Sequence, residues 1–240
     1  MIDIHTHILP GVDDGSTDLD NSLKMLEQAY EQGVTHLVLT PHSILNSKTF
    51  LKKEELQLRF NKLVESAKNI PIRLYLGSEI FYTDKVLSKL VSNELQTFAN
   101  SKYLLIEFSM REESDLDEIL FNIRAKGFQP ILAHPERYEY MTAEKLTALK
   151  ENALIQMNTT SIDGSHGHKV KKRAFAFLKE NLVDFISSDC HNATTRACSL
   201  KNCFELIEKK FGEEKALNLF HNNQLKMIRD INAFLDKSII

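Results

Sequence analysis

The stretch that decides the fold is MIDIHTHILPGVDDG, residues Met1–Gly15. His5 and His7 stand two apart in an apolar run that predicts a β-strand, and side chains two apart on a strand point to the same face. Both imidazoles can therefore reach one metal ion. Asp13 and Asp14 follow in the next loop and bring carboxylate oxygens within reach of the same place. Two strand histidines are weak evidence for a metal by themselves, so the rest of the chain has to support them.

The remaining chain alternates apolar runs with segments of helical periodicity. After the first strand, the apolar runs predict six more strands, at residues 35–42, 72–79, 103–108, 129–137, 154–158 and 183–191. Continuous apolar strands separated by amphipathic helices are typical of a parallel sheet covered by helices. No linker, low-complexity tract or repeat interrupts the pattern, which predicts a single domain over residues 1–240.

Metal-ligating residue types recur where these strands end. They are His5, His7, Asp14, His42, Glu79, Glu107, His134, Asp189 and His191. In an open sheet the edge strands would hold such residues far apart, whereas a closed barrel brings the carboxyl ends of all strands to one mouth. The sequence therefore predicts an α/β fold of the TIM-like (β/α)7 barrel type.

Composition narrows the function classes. The chain has 240 residues, 42% of them hydrophobic, and a net charge of -3, which favours neither a nucleic-acid partner nor an anionic membrane surface. No apolar run approaches the roughly twenty residues of a membrane span, and no signal peptide precedes the first strand. Cys190, Cys198 and Cys203 are too few and too clustered for a disulfide framework. We expect a soluble, unprocessed, cytoplasmic protein.

The candidate ligands mix imidazole and carboxylate groups without thiolate, a set that suits Mn, Fe or Zn. Nine ligands exceed what one ion uses, so more than one metal follows if most of them bind. Each residue also has a plainer interpretation. Glu79 and Glu107 could be partners in buried ion pairs, and His134 before Pro135 could be a turn histidine.

Several motifs together resemble the polymerase-and-histidinol-phosphatase (PHP) superfamily: HTH at the start, His42, Glu79, Glu107, the AHPER segment and the closing SDCH. More narrowly, MIDIHTHILPGVDDG, GSEIFY and IEFS resemble the metal-dependent protein tyrosine phosphatases encoded with bacterial capsular and exopolysaccharide genes. The resemblance covers nearly the whole chain.

This resemblance implies a distorted seven-unit barrel with a trinuclear metal site. It implies two or three divalent ions, with manganese favoured over iron or zinc, and it places the nine residues above at or near the metals. Arg137 and Arg196 match the family's phosphate-binding arginines. The implied substrate is phosphotyrosine on the tail of a bacterial tyrosine kinase that controls polysaccharide export. The oligomeric state is left open.

Phosphate ester hydrolysis needs activated water and neutralisation of charge on the phosphoryl oxygens. Metal ions supply the first, and arginine contributes to the second through bidentate contacts. Arg137 follows His134 closely and should project from the same mouth; a rim ion pair with Glu136 or Glu139 is its alternative. His42 or Asp14 could protonate the leaving phenolate. The predicted catalytic residues are thus His42, Arg137 and Arg196.

Cys190 and Arg196 also form the C-x5-R spacing of phosphatases that use a cysteine nucleophile. The intervening HNATT lacks a glycine for a phosphate-binding loop, and on a strand Cys190 would point away from the site if Asp189 and His191 face it. We therefore interpret Cys190 as a packing residue.

The segment HGHKVKKR, residues 166–173, is either a solvated helix start or a basic rim that attracts an acidic peptide. His166 and His168 are not counted as ligands, because no carboxylates converge on their predicted loop.

Other functions remain as alternatives. A histidinol-phosphatase-like phosphomonoesterase is the first. An amidohydrolase would place a lysine at the fourth strand, where Glu107 stands, and a nuclease would want a basic groove. A metal-binding regulator without turnover is the non-enzymatic alternative.

Overall fold

The computed structural model describes residues 1–237. Its strands are all parallel to their neighbours. They are β1 (Ile2–Asp3), β2 (His36–Leu39), β3 (His42–Ser43), β4 (Arg73–Leu76), β5 (Glu79–Phe81), β6 (Tyr103–Glu107), β7 (Gln129–Ala133), β8 (Leu154–Asn158) and β9 (Phe185–Ser187). The predicted α/β fold with parallel strands is confirmed.

The strands form one sheet in the order β1-β2-β4 and a second in the order β3-β5-β6-β7-β8-β9. Two predicted strands are thus each divided: the second breaks at Thr40 and Pro41, and the third at Gly77 and Ser78. Backbone hydrogen bonds cross the breaks, from Gly77 N–H to the Leu39 carbonyl at 2.8 Å and from Glu79 N–H to the Pro41 carbonyl at 3.0 Å. The divided strands therefore remain in register.

The other edge of the second sheet meets the first strand. Thr6 and Cys190 form a parallel bridge. Asp189 N–H donates to the His5 carbonyl at 3.0 Å, and His7 N–H donates to the Cys190 carbonyl at 2.9 Å. These bonds join the last unit to the first and close the distorted barrel expected from the sequence.

Helices connect the strands and cover the sheets. They are α1 (Leu19–Glu31), α2 (Lys53–Ser66), α3 (Val86–Val91), α4 (Leu116–Ala125), α5 (Ala143–Leu149), α6 (Thr159–Asp163), α7 (His168–Lys179), α8 (Leu200–Phe211), α9 (Glu213–Leu217) and α10 (Asn223–Lys237). A π-helical segment, Asn218–Asn222, joins α9 to α10, and short 3₁₀ segments lie at Phe98–Asn100 and Pro135–Arg137. The larger apolar core includes residues such as Leu26 of α1 and Leu120 of α4.

A second apolar cluster joins the strands to α10. Met227, Ile228 and Ile231 of this helix share the cluster with Ile2 of β1 and Leu105 of β6. Leu105 lies two residues before Glu107 and therefore on the same face of its strand. The apolar cluster thus lies on the amino-terminal side of the ligand-bearing strand ends.

Three predicted strands end earlier than expected. The first ends at Asp3, so that His5 and His7 lie beyond it. The fifth ends at Ala133, so that His134 lies outside it, and the seventh ends at Ser187, before Asp189. Among the helices of the described chain, none combines the length and apolar character needed to cross a lipid bilayer.

Candidate active site

The carboxyl ends of the strands bring all nine predicted ligands into one cluster. His5 and His7 follow β1, and Asp14 lies in the next loop. His42 lies past the carboxyl end of β2 and opens its continuation β3, Glu79 lies past the carboxyl end of β4 and opens β5, and Glu107 closes β6. His134 follows β7, and Asp189 and His191 follow β9. The convergence expected from the strand-end pattern is therefore present in the structure.

The centre of the cluster consists of two imidazoles and two carboxylates. The Nε2 atoms of His5 and His7 lie 3.2 Å apart. Asp189 Oδ1 lies 3.4 Å from the first and 3.3 Å from the second, and the Glu79 carboxylate lies 3.3 and 3.4 Å from the same two nitrogens. All four side chains are buried. Donor atoms from opposite sides of the barrel thus surround a common position.

Glu79 also contacts two imidazoles outside the central group. Its Oε1 accepts a hydrogen bond from His134 Nε2 at 2.9 Å, and its Oε2 lies 2.9 Å from His42 Nδ1. Glu107 Oε1 lies 3.7 Å from His134 Nε2. The Glu79 carboxylate therefore contacts four imidazoles.

Asp14 marks the solvent side of the cluster. Its Oδ1 lies 3.3 Å from His42 Nε2 and 3.4 Å from His191 Nε2, while 62% of its side chain is exposed. The ring of His191 stacks on that of His7, with centroids 3.9 Å apart. This part of the cluster is therefore the part open to a ligand from solution.

Four overlapping groups of these residues have donor atoms close enough to share an ion. They are His7, Asp14, His42 and His191; His5, His134 and Asp189; His5, His7 and Glu79; and His42, Glu79 and Glu107. Nitrogen and oxygen donors in such sets fit divalent transition metals. Buried carboxylates and imidazoles at these distances would otherwise carry a large desolvation cost, so the donor set fits metal ions well.

Three side chains that are not among the nine predicted ligands hold ligands in place. Asp13 Oδ2 lies 2.8 Å from His7 Nδ1, and Gln156 Oε1 lies 3.0 Å from His5 Nδ1. Asn158 Nδ2 donates to Asp189 Oδ2 at 2.7 Å. Partners of this kind fix the orientation of metal-binding side chains.

The sequence places the carboxylates of Asp13 and Asp14 near the same metal position, but in the structure Asp13 binds His7 and accepts from the His42 N–H at 3.0 Å. The roles of Gln156 and Asn158 were not predicted. Their signal was two polar residues, spaced by two, in the otherwise apolar strand LIQMN.

The backbone is unusual at two ligand positions. His134 has φ 33° and Asp189 has φ 51°, in the left-handed region that residues with a Cβ seldom adopt. Each residue directly follows or nearly follows a strand and turns the chain sharply there. Such conformations persist only where the surrounding structure fixes them, and they cluster at functional sites.

Charges in the cluster affect one another strongly. Burial opposes a charge on His42, but contacts with Asp14 and Glu79 outweigh it and raise the pKa of His42 to about 10. Burial, together with the nearby charge of Glu79, raises the pKa of Glu107 to about 8. Burial also works against an ionised Asp189, yet the imidazoles of His5 and His7 lower the pKa of its carboxyl.

Both predicted arginines lie beside the cluster. Arg137 NH1 is 3.7 Å from Asp189 Oδ2, and Arg196 NH2 is 3.4 Å from the same oxygen. Arg196 also reaches Asp14 Oδ2 at 3.6 Å. The arginine side chains are 22% and 38% exposed, respectively. Two guanidinium groups thus stand at the edge of the donor cluster, accessible to an anion. The alternative rim pair to Glu139 is instead made by Arg111.

Cys190 is buried and lies in the larger apolar core. Burial raises the pKa of its thiol well above the ordinary value. A neutral, inaccessible thiol is unsuited to attack a phosphate ester. The interpretation of Cys190 as a packing residue agrees with this environment.

The HGHKVKKR segment only partly matches the predicted basic rim. Arg173 turns inward and Lys171 binds the Asp163 carbonyl at 2.8 Å, so only Lys169 and Lys172 remain exposed cations. The candidate ligand groups of residues 1–237 include neither of the two histidines of the segment. Nδ1 of one of them, His166, lies 3.3 Å from the Ser161 hydroxyl.

Comparison with known proteins gives four findings. The chain is 36% identical over 252 residues to the tyrosine-protein phosphatase CpsB of Streptococcus agalactiae, covering 96% of this chain and 99% of the relative. A solved structure from work on YwqE of Bacillus subtilis and CpsB of Streptococcus pneumoniae, described as unique metal-dependent tyrosine phosphatases, matches with a TM-score of 0.84 and 30% identity over 90% of each chain.

The histidinol phosphate phosphatase of Lactococcus lactis shares the fold, with a TM-score of 0.58 and 13% identity over 92% of this chain and 96% of that one. The sequence model of the family described as "Capsular polysaccharide synthesis, CpsB/CapC" matches residues 1–229. The chain belongs to the CpsB/CapC family.

Proposed function

We propose that this protein is a metal-dependent protein tyrosine phosphatase. The observation that carries the proposal is the convergence of nine imidazole and carboxylate ligands with two arginines at one mouth of the barrel. Relatives of similar length that bear the name tyrosine-protein phosphatase support the choice of reaction. Residues 1–240 would act as one domain, because ligands from residue 5 to residue 191 contribute to one site.

The proposed metal ligands are His5, His7, Asp14, His42, Glu79, Glu107, His134, Asp189 and His191, which would hold two or three divalent ions. A donor set that mixes carboxylate and imidazole suits Mn, Fe or Zn, and the family resemblance is the reason for which we propose manganese among them. Such ions would supply the Lewis acidity that activates water and neutralises phosphoryl charge. Glu79, whose carboxylate contacts four imidazoles, would be among the residues that hold these ions.

Arg137 and Arg196 would bind the phosphate. Their guanidinium groups flank Asp189, so an anion seated over the cluster would meet donors from both sides. Arginine offers paired N–H groups that match two phosphate oxygens at once. This contact would orient the phosphorus towards the metal ligands and offset the negative charge that develops during the reaction.

His42 is the proposed proton donor to the leaving phenolate, with Asp14 as its alternative. The two side chains are the partly exposed members of the cluster and lie 3.3 Å apart. An imidazole nitrogen that binds a metal carries no proton, so His42 could donate only from a nitrogen left free. A phenolate leaving group, whose parent phenol has a pKa of about 10, needs little acid assistance, so weak proton donation by His42 would suffice.

The proposed substrate is phosphotyrosine on the tail of a bacterial tyrosine kinase that regulates capsular or exopolysaccharide synthesis. The family description and the names of the relatives support this partner. The exposed edge at Asp14 supports a site that admits a residue carried on a peptide. The net charge of -3 gives no support to a nucleic-acid partner. Three free, buried cysteines support a reducing compartment, the cytoplasm.

The proposal is tested by metal analysis of the purified protein together with kinetics on three substrates: a phosphotyrosine peptide, a phosphoserine peptide and histidinol phosphate. We expect bound divalent metal, loss of turnover on chelation, recovery with Mn²⁺ and the highest kcat/KM for phosphotyrosine. Preference for histidinol phosphate would instead indicate a small-molecule phosphatase, and metal binding without turnover would indicate a regulator.

A further inference from the structure

One cation of the HGHKVKKR segment does not face solvent. Arg173, on α7, is half-buried, and its NH1 donates to the Glu136 carbonyl at 2.8 Å and also to the Tyr138 carbonyl. These two carbonyls belong to the residues on either side of Arg137. The guanidinium of Arg173 therefore holds the backbone on both sides of Arg137.

The segment that carries Arg137 needs such support. It follows His134, which has a left-handed backbone, and it forms a single 3₁₀ turn, Pro135–Arg137. Within the turn, Arg137 N–H donates to the His134 carbonyl at 3.0 Å and Tyr138 N–H donates to the Pro135 carbonyl at 3.1 Å. One turn of this kind is short and has poor hydrogen-bond geometry, so it does not fix a side chain by itself.

The opposite side of the turn is held by other contacts. The Tyr138 hydroxyl donates to the Ala133 carbonyl at 2.9 Å and accepts from the Phe108 N–H at 3.0 Å. Glu136 accepts from the Asn158 N–H at 3.0 Å and from the Ser161 hydroxyl at 2.6 Å. Of the contacts described, only those from Arg173 reach the carbonyls on both sides of Arg137.

We propose that Arg173 is a positioning residue of the phosphate site, which fixes the direction of Arg137 by binding the carbonyls of Glu136 and Tyr138. The inference rests on the proposed function, because it assigns Arg137 to the phosphate. Without Arg173, Arg137 would sample several directions and lose the preorganised contact near Asp189. A preorganised donor is what binds an anion strongly, so substrate binding should weaken while the metal ligands stay in place.

The same helix supplies a matched control. Lys171 is also partly buried and also donates to a backbone carbonyl, that of Asp163 at 2.8 Å, but Asp163 ends α6 and is not a residue of the turn that carries Arg137. Lys171→Met removes a comparable cation and a comparable hydrogen bond without touching the carbonyls beside Arg137. A general effect of disturbing α7 would therefore appear in both variants.

The test is a double-mutant cycle on the full, Mn²⁺-reconstituted chain with Arg173→Met, Arg137→Ala, the double variant and Lys171→Met. For each we would measure metal content, kcat and KM on a phosphotyrosine peptide, and the inhibition constant of inorganic phosphate. We expect Arg173→Met to keep its metal, to raise KM and the phosphate inhibition constant about ten-fold, and to change them less than two-fold when Arg137 is already alanine.

Equal effects of Arg173→Met in both backgrounds, an equal effect of Lys171→Met, or wild-type kinetics in Arg173→Met would overturn the inference. Should Arg173→Met fail to fold, Arg173→Lys provides the same cycle, because lysine keeps the charge but is shorter and lacks the guanidinium fork. Two different outcomes would contradict the proposed function itself. They are a wild-type protein that does not hydrolyse phosphotyrosine, and unchanged kinetics in Arg137→Ala alone.

Discussion

Asp13 Oδ2 lies 2.8 Å from His7 Nδ1, on the side of the ring opposite to the nitrogen that faces His5. The same oxygen accepts from the His42 N–H at 3.0 Å, and Oδ1 accepts from the Gly15 N–H at 2.9 Å. One carboxylate therefore orients His7, positions the start of β3 and shapes the loop after β1.

We predict that Asp13→Asn weakens metal binding about 10- to 100-fold, since loss of a carboxylate partner lowers the basicity and the fixed orientation of a ligating histidine. Titration of the metal-free protein with Mn²⁺ measures the effect. Asp20→Asn, at an exposed position of α1, is the control and should bind metal like the wild type. Unchanged affinity in Asp13→Asn would show that His7 does not depend on this partner.

Gln156 makes a second such contact from the opposite side of the barrel. Its Oε1 accepts from the His134 N–H at 3.2 Å and lies 3.0 Å from His5 Nδ1, while its Nε2 donates to Asn158 Oδ1 at 2.8 Å. We expect Gln156→Met, which keeps the volume but removes these contacts, to lower both metal content and thermal stability. A variant that loses stability but keeps full metal occupancy would contradict the orienting role.

Gly15 should not tolerate a side chain because a Cβ atom there would clash with His7, and not because of its backbone conformation. A Cβ there would lie 2.1 Å from the His7 carbonyl oxygen and 2.5 Å from the His7 Cβ. We predict that Gly15→Ala displaces His7, costs about 1–3 kcal/mol of folding free energy and lowers metal content. Gly33→Ala distinguishes a steric clash beside His7 from a purely conformational cost, because Gly33 has φ 84° and no comparable contact. This variant should lose about 1–2 kcal/mol of folding free energy and keep its metal.

Activity should be independent of cysteine. Cys190 is buried and its thiol pKa is raised well above the ordinary value, so it holds no thiolate near neutral pH. We expect Cys190→Ala to lose some stability through a small cavity but to keep kcat/KM within a few fold. Treatment of the folded wild type with iodoacetamide should likewise leave turnover intact. A large loss of turnover in the alanine variant with unchanged metal content would instead support a cysteine nucleophile.

The strand-end pattern predicted the main features of the site because parallel strands leave their carboxyl ends at one edge. His42, Glu79 and Glu107 could be placed together from this rule alone. The pattern could not predict the left-handed backbone at His134 and Asp189. His134 precedes Pro135, where local sequence favours an extended residue, and Asp189 follows an apolar strand run that also predicts extended backbone; tertiary contacts override both preferences.

The hydrogen-bonding partners of the ligands were harder still to predict. A glutamine inside an apolar strand indicates a polar neighbour but not its identity. The identity of that neighbour depends on which strand lies alongside, and β8 is paired with β7 and β9 only in the assembled sheet. For the same reason, nothing in the run KVKKR, residues 169–173, distinguished the inward-pointing Arg173 from the three lysines before it.

The parallel bridge between Thr6 and Cys190 joins the start of the chain to its last strand, and this affects when the site can form during synthesis. His5 and His7 leave the ribosome early, whereas Asp189 and His191, which complete their surroundings, are made more than 180 residues later. Contacts of such long sequence separation form late in folding, because a long loop must close first. A nascent chain that has reached only β8 still lacks Asp189 and His191, so the complete donor set forms only at the final stage of folding.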